Sequence, residues 1–154
     1  MIHLTNNAVQ QLNKEDYGKH EEGNQLSFKQ ASEIMQAQGI NIDFFDIYQN
    51  QIEPIIEMTM KCVESTKLNP NQRRNTFEIM GYDFMIDENL QPWLIEVNTN
   101  PCIEETSKLL KMLLARMIDD AFRLTIDLAF PAPPPKENEP KPLKQMFPVD
   151  GYPD

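Results

Sequence analysis

The sequence has little positive charge and no long apolar run. Its 154 residues include 14 Lys and Arg against 24 Asp and Glu, a net charge of −10. General binding to nucleic acid, or to an anionic membrane surface, needs a surplus of Lys and Arg, so this composition argues against both partners. No apolar stretch reaches the roughly 18 residues of a membrane span. Residues 1–10 also lack the basic region and apolar core of a secretory signal.

Cysteine is scarce as well. Cys62 and Cys102 lie far apart in the chain and form no CxxC pair, so neither a disulfide framework nor a zinc site is expected, and a reducing cytosol is the natural compartment. The composition is otherwise ordinary, with 40% hydrophobic and 25% charged residues. Such a chain is long enough for one soluble domain with a real core.

Three helical segments are predicted. Ser27 and Gln30 form a capping box at the start of the first, and Gly39 ends it. A second segment carries an apolar stripe at spacings of three or four, interrupted by Pro54, so a kink or two helices meeting near Glu53 are expected. The stripe consists of Phe45, Tyr48, Ile52, Ile56, Thr59 and Val63. Residues 103–128 form a third, amphipathic helix, expected to pack against a sheet through Leu110, Leu113, Leu114, Met117, Ala121 and Leu124.

Two apolar segments between these helices predict a β-hairpin. Residues 77–86 and 93–97 are the strands, and residues 87–92 are the loop. The predicted fold class is therefore α/β in the broad sense (α+β), an antiparallel hairpin packed with helices. We expect one folded region over residues 1–130. The tail, residues 131–154, contains eight prolines and is predicted to be extended and flexible.

Two acids and an amide meet on one face of this predicted hairpin. If the strands pair symmetrically about the loop, with Ile86 opposite Trp93, then Asp83 faces Glu96, and Asn98 points to the same side. Like charges about 5 Å apart repel, and either protonation of one carboxyl or a cation between them would relieve that repulsion. Oxygen donors alone suit a hard cation such as Mg²⁺. The alternative is an acidic surface exposed to solvent, because the spacing D-x₁₂-E-x-N is not specific by itself.

Longer segments of the sequence favour the metal site over the exposed acidic surface. The segments "FEIMGYDFMIDENLQPWLIEVNTNP" and "HLTNNAVQ" resemble the tubulin–tyrosine ligase and tubulin–tyrosine ligase-like family, over roughly residues 2–130. The catalytic domain of that family is an ATP-grasp fold. The resemblance implies ATP-dependent ligation of a free amino acid to the acidic C-terminal tail of tubulin through an acyl phosphate, with ATP and Mg²⁺ as cofactors. It also implies association with microtubules or cilia in the cytoplasm.

The resemblance also implies roles for individual residues. Asp83, Glu96 and Asn98 match the positions that hold magnesium on the ATP phosphates, and they are the predicted catalytic residues. Thr5 and Asn6 match positions that contact the nucleotide, and hydroxyl and amide groups are suitable partners for phosphate or ribose.

Tyrosine is the favoured amino acid, because residues 17–24, "YGKHEEGN", are similar to the tyrosine ligase itself. Glutamate and glycine remain alternatives, since Ala8 stands where several relatives use serine beside the amino-acid substrate. A third reading is a non-catalytic fragment that keeps the hairpin and a proline-rich interaction tail.

The lysines and arginines that contact ATP and the amino acid in this family lie upstream of "HLTN". We therefore expect the chain to be the C-terminal part of the catalytic domain and to be inactive alone. An acidic tubulin tail also needs a basic track for docking, and this portion does not supply one.

Overall fold

The computed structural model describes residues 6–64 and 76–131. Its elements in chain order are α1 (Asn7–Gln10), a 3₁₀ turn (Glu22–Asn24), α2 (Phe28–Ala37), α3 (Phe44–Ile47), a π-helical turn (Tyr48–Ile52), α4 (Glu53–Val63), β1 (Gly81–Ile86), β2 (Pro92–Asn98) and α5 (Lys108–Ala129). This mixture of helices with an antiparallel pair of strands confirms the α+β class. Apart from Pro131, the predicted flexible tail lies outside the described residues.

The chain divides into two compact units. One comprises Met1–Ile34 with Glu104–Asp154, and the other is Met35–Ile103. The second unit contains the hairpin and a small apolar core, in which Ile42, Ile47 and Ile52 are buried. Partly buried side chains surround this core: Met35, Phe44, Tyr48, Ile56, Phe84, Ile86 and Leu90. The inner face of β1 thus lies on the core.

The helical stretch beneath the hairpin widens for one turn before Pro54. The backbone N–H of Glu53 bonds to the carbonyl of Tyr48, five residues earlier, and α4 then begins with Pro54 in its first turn. The predicted junction near Glu53 is therefore present, but as a π turn with helical backbone angles on both sides rather than a break. Because proline needs no backbone partner in a first turn, it fits there without disrupting the helix.

The hairpin differs from the prediction at the start of both strands and at the end of β2. The strands are Gly81–Ile86 and Pro92–Asn98, and Ile86 pairs with Pro92 rather than Trp93. The loop is thus one residue shorter than predicted. A β-bulge then adds one residue to β2, because Phe84 pairs with Leu94 while Asp83 pairs with Glu96, which leaves Ile95 as the extra residue.

The helix ends follow the predicted signals where these are local. The backbone N–H of Ser27 donates to Gln30 Oε1, and the N–H of Gln30 donates to Ser27 Oγ, which confirms the capping box. Gly39 has φ of +82°, and the N–H of Ile40 bonds back to the carbonyl of Met35. That bond closes the helix in the way expected after a left-handed glycine.

Ser107 caps the start of the closing helix α5, in the first unit. The Ser107 hydroxyl accepts from the N–H of Leu110 and donates to Gln25 Oε1 at 2.6 Å. None of the side chains of α5 is fully buried, and Leu124, predicted to face inward, is 73% exposed. The packing of α5 against the hairpin stays a prediction, since the hairpin and this helix belong to different units. Within the described ranges, no helix is both long and apolar enough to span a membrane.

Candidate functional site

Asp83, Glu96 and Asn98 meet on the outer face of the hairpin. Asp83 is the register partner of Glu96, and Asn98 ends β2 opposite Gly81. The Nδ2 group of Asn98 donates to Asp83 Oδ2 and to Glu96 Oε1, each at 3.3 Å. The predicted opposition of the two acids is therefore confirmed, and the amide lies between them. We call these three residues the acidic trio.

Alternation along β1 explains why Asp83 points outward. Tyr82, Phe84 and Ile86 are partly buried, whereas Asp83 and Met85 are exposed. The hydroxyl of Tyr82 lies 2.9 Å from Thr59 Oγ1, which itself donates to the carbonyl of Ile56. A threonine hydroxyl has one proton, so Tyr82 is the donor in this pair. Tyr82, which precedes Asp83 in β1, is thereby hydrogen-bonded to α4.

The electrostatics of the trio record the repulsion between its acids. The pKa of Asp83 lies above its usual value, first because the carboxyl is partly desolvated and then because Glu96 favours its protonated form, as a possible acceptor for that proton and through its like charge. The amide of Asn98 acts in the opposite direction by donating to the carboxylate. A cation would favour both ionised acids more strongly than one neutral amide can.

The donor set fits a hard cation that keeps other ligands. The two carboxylates provide oxygen ligands. The amide of Asn98 would provide a third oxygen ligand if it rotated to face the acids with Oδ1 in place of Nδ2, and its hydrogen-bond partners determine which of the two atoms faces them. In the described part of the chain, no three His, Cys, Asp or Glu side chains are grouped for a metal. Mg²⁺ takes only one or two carboxylates from a protein and completes its octahedron with water and phosphate oxygens, a demand that two carboxylates and an amide could meet.

Asp87 organises the loop of the hairpin, a role that the sequence analysis missed. Its Oδ1 accepts from the N–H groups of Asn89 and Gln91, and its Oδ2 accepts from Trp93 Nε1 at 3.0 Å. These bonds lower the pKa of Asp87, the indole bond most. An Asp directly after a strand and before a polar turn is the signal that could have revealed this role.

Of the two predicted nucleotide contacts, the structure describes Asn6. Asn6 belongs to the first unit, where its Oδ1 accepts from the N–H of Ala8 at 3.0 Å and caps α1. Thr5 lies outside the described residues. The nucleotide role of both residues stays a prediction. Cys62 and Cys102 are free and exposed.

Comparison with known proteins identifies the family to which this chain belongs. The model of the tubulin-tyrosine ligase family matches residues 1–140. The match covers most of the chain and includes the acidic trio. The chain therefore belongs to the tubulin–tyrosine ligase family.

Several relatives are named as glycylases or as a polyglutamylase. The chain is similar to tubulin glycylase 3B of Tetrahymena thermophila, 31% identical over 138 residues, which are 89% of this chain and 11% of that protein. It is 35% identical over 125 residues to the probable alpha-tubulin polyglutamylase Ttll1 of the same organism, covering 81% of the chain and 29% of the relative. Human protein monoglycylase TTLL8 is 29% identical over 129 residues, covering 82% and 15%. The chain thus spans less than a third of the length of each of these relatives.

Proposed function

We propose that this chain contributes the magnesium-binding hairpin of an ATP-dependent ligase that adds glycine or glutamate to the tail of tubulin. The observation that carries the proposal is the register pairing of Asp83 with Glu96, with the amide of Asn98 donating to both. Two opposed acids in a small, marginally stable unit cost stability. A site that binds a cation in the working enzyme accounts for that cost.

Each member of the trio has a role in this proposal. Asp83 and Glu96 would hold Mg²⁺ through their carboxylates, and Asn98 through its amide oxygen. Bound there, the ion would offset charge on the phosphates of ATP during activation of a carboxyl as an acyl phosphate. Thr5 and Asn6 are proposed as nucleotide contacts on the strength of the family pattern alone. Microtubules would be the place of action.

The choice of amino acid changes with the comparisons. The sequence analysis favoured tyrosine on the strength of residues 17–24, yet the relatives named above are glycylases and a polyglutamylase. Their names support the alternative reading better than tyrosine. We therefore propose glycine first and glutamate second.

The metal site can be tested on the chain itself. Mn²⁺ replaces Mg²⁺ at oxygen sites and broadens NMR signals of nearby nuclei, so it reports even weak binding at defined residues. We expect selective broadening around Asp83, Glu96 and Asn98, reversed by excess Mg²⁺. The variants Asp83→Asn and Glu96→Gln should abolish it. Glu88→Gln is the matched control, because Glu88 is an exposed acid in the loop of the same hairpin. Broadening that persists in both trio variants would contradict the proposed site.

A second experiment addresses the amino acid. The protein at its natural length is incubated with tubulin, ATP and Mg²⁺, and with labelled glycine, glutamate or tyrosine in separate reactions. Incorporation of glycine or glutamate, lost in Asp83→Asn, is the expected result. Incorporation of tyrosine alone would overturn the proposed choice of substrate. Mn²⁺ binding without incorporation of any amino acid would support a non-catalytic binding module instead.

A further inference from the structure

We infer that Gly81 and Pro101 together position the amide of Asn98 over the two acids. The inference rests on the proposed function for its consequence, metal affinity, but its structural content can be tested without metal. Gly81 is the register partner of Asn98. Pro101 follows Asn98 by three residues, after bends at Thr99 and Asn100. The chain leaving β2 therefore returns against the start of β1.

Gly81 is required for space rather than for backbone conformation. Among the described glycines, Gly18, Gly23 and Gly39 have positive φ, whereas Gly81 does not. A Cβ built on Gly81 would lie 2.9 Å from Pro101 Cβ, closer than side-chain carbons approach one another. The same Cβ would lie at an ordinary 3.8 Å from Asn98 Cβ. The absent side chain is thus what admits Pro101.

Pro101 cannot yield to such a side chain by rotating. Its Cβ belongs to a ring closed on the backbone, so relief of the clash must move the main chain at residue 101 or at residue 81. Ordinary contact begins near 3.4 Å, so the required movement is about half an ångström. Moving the chain at residue 101 displaces the end of β2, which carries Asn98. Moving residue 81 displaces β1, which carries Asp83.

Either movement would change hydrogen bonds of Asn98 that are already long. The two bonds from Asn98 Nδ2 are 3.3 Å long, just beyond the usual range for N–H···O bonds. A displacement of half an ångström would alter these distances, and it would move Asn98 relative to Asp83 whichever atom of the amide, Nδ2 or Oδ1, faces the acids. Gly81 and Pro101 are therefore positioning residues, which act on the trio through Asn98 without touching the ion.

The test uses the full chain and four variants: Gly81→Ala, Pro101→Gly, the double variant, and Asn98→Ala. In the absence of metal, Gly81→Ala should shift the NMR signals of the Asn98 side-chain NH₂ group. The double variant should restore them to their positions in Pro101→Gly, because the clashing carbon is gone. In titrations with Mg²⁺ alone, Gly81→Ala should lose about tenfold in affinity, as is typical for residues that orient metal ligands. The double variant should recover that loss.

Two outcomes of the metal-free comparison would overturn the inference. One is an unchanged Asn98 signal in folded Gly81→Ala. The other is a double variant as perturbed, or as unfolded, as Gly81→Ala alone, because the contact with Pro101 would then not be limiting. A positioning role also requires that Gly81→Ala cause no further loss of Mg²⁺ affinity when Asn98 is already alanine. If the wild-type chain binds no Mg²⁺, the proposed function fails, while the metal-free NMR comparison still decides this inference.

Discussion

Asp83 and Glu96 are register partners although the loop that joins their strands would by itself place Ile95 opposite Asp83. The loop sets Ile86 against Pro92, and that register continues as far as Phe84 and Leu94. The bulge at Ile95 then advances β2 by one residue. Bulges that re-aim side chains occur next to functional sites, and here the bulge brings the second acid to the first.

Replacing Asp83 by asparagine should stabilise the metal-free chain while abolishing its cation binding. The substitution removes one of two like charges, and the new amide can donate to Glu96. Cross-strand pairs of this kind change stability by about 0.2–1 kcal/mol, so a gain of that size is expected from urea denaturation in EDTA. The neutral control Glu88→Gln should change stability less. Destabilisation of Asp83→Asn in EDTA would mean that the acids do not repel in the folded chain.

Local signals in the sequence sufficed for the two ends of α2, whereas the pairing of the acids was predicted correctly only because two errors compensated. Ser27, Gln30 and Gly39 act through hydrogen bonds to residues a few positions away, so their effect is legible in a short window. The pairing of Asp83 with Glu96 was predicted from a symmetric six-residue loop. The observed loop has one residue fewer than predicted, and the bulge adds one residue to β2 that was not predicted, so the two errors cancel. The loop is set by the bonds that Asp87 accepts, which strand periodicity does not register.

The core residue Ile47 could not be found from helical periodicity. A regular α-helix brings residues three or four apart onto one face, and Ile47 lies five before Ile52. The π turn between them adds one residue, so both side chains reach the core. Pro54 marked the place of an irregularity, but nothing local determined whether it would be a kink or a wider turn.

The hydrogen bond between Asp87 and Trp93 predicts how the hairpin responds to acid. The pKa of Asp87 is lowered in the folded chain, so its charged form favours folding. That stabilisation is complete above the usual carboxyl pKa, about 4, and is lost as pH falls through the lower folded value. We expect the indole Nε1–H signal of Trp93, the chain's one tryptophan, to shift in that range. In Asp87→Asn this titration should disappear, and an unchanged titration in the variant would exclude Asp87 as its source.

The bond from Tyr82 to Thr59 should couple the hairpin to α4. Tyr82→Phe removes the donor, and Thr59→Val removes the acceptor while keeping the shape of the side chain. Each change should cost about 1 kcal/mol, and the double variant should cost less than the sum, with a coupling energy of about 0.5–1.5 kcal/mol. Urea denaturation of the four proteins provides the cycle. Strict additivity would show that the two hydroxyls, 2.9 Å apart, do not interact in solution.

Truncation of Ile47 should be the most damaging of the changes considered, because the core of the second unit is small. Ile47 is 5% exposed and lies with Ile42 and Ile52, so Ile47→Ala should cost about 2–5 kcal/mol through lost burial and the cavity left behind. Ile40→Ala is the matched control. Ile40 lies in the same unit as Ile47 and Trp93 but is 40% exposed, so its truncation should cost about 1 kcal/mol or less. Fluorescence of Trp93 during urea unfolding reports on the unit that contains Ile47. Equal losses in the two variants would show that the π turn does not hold Ile47 in the core and that this helical stretch does not support the hairpin through it.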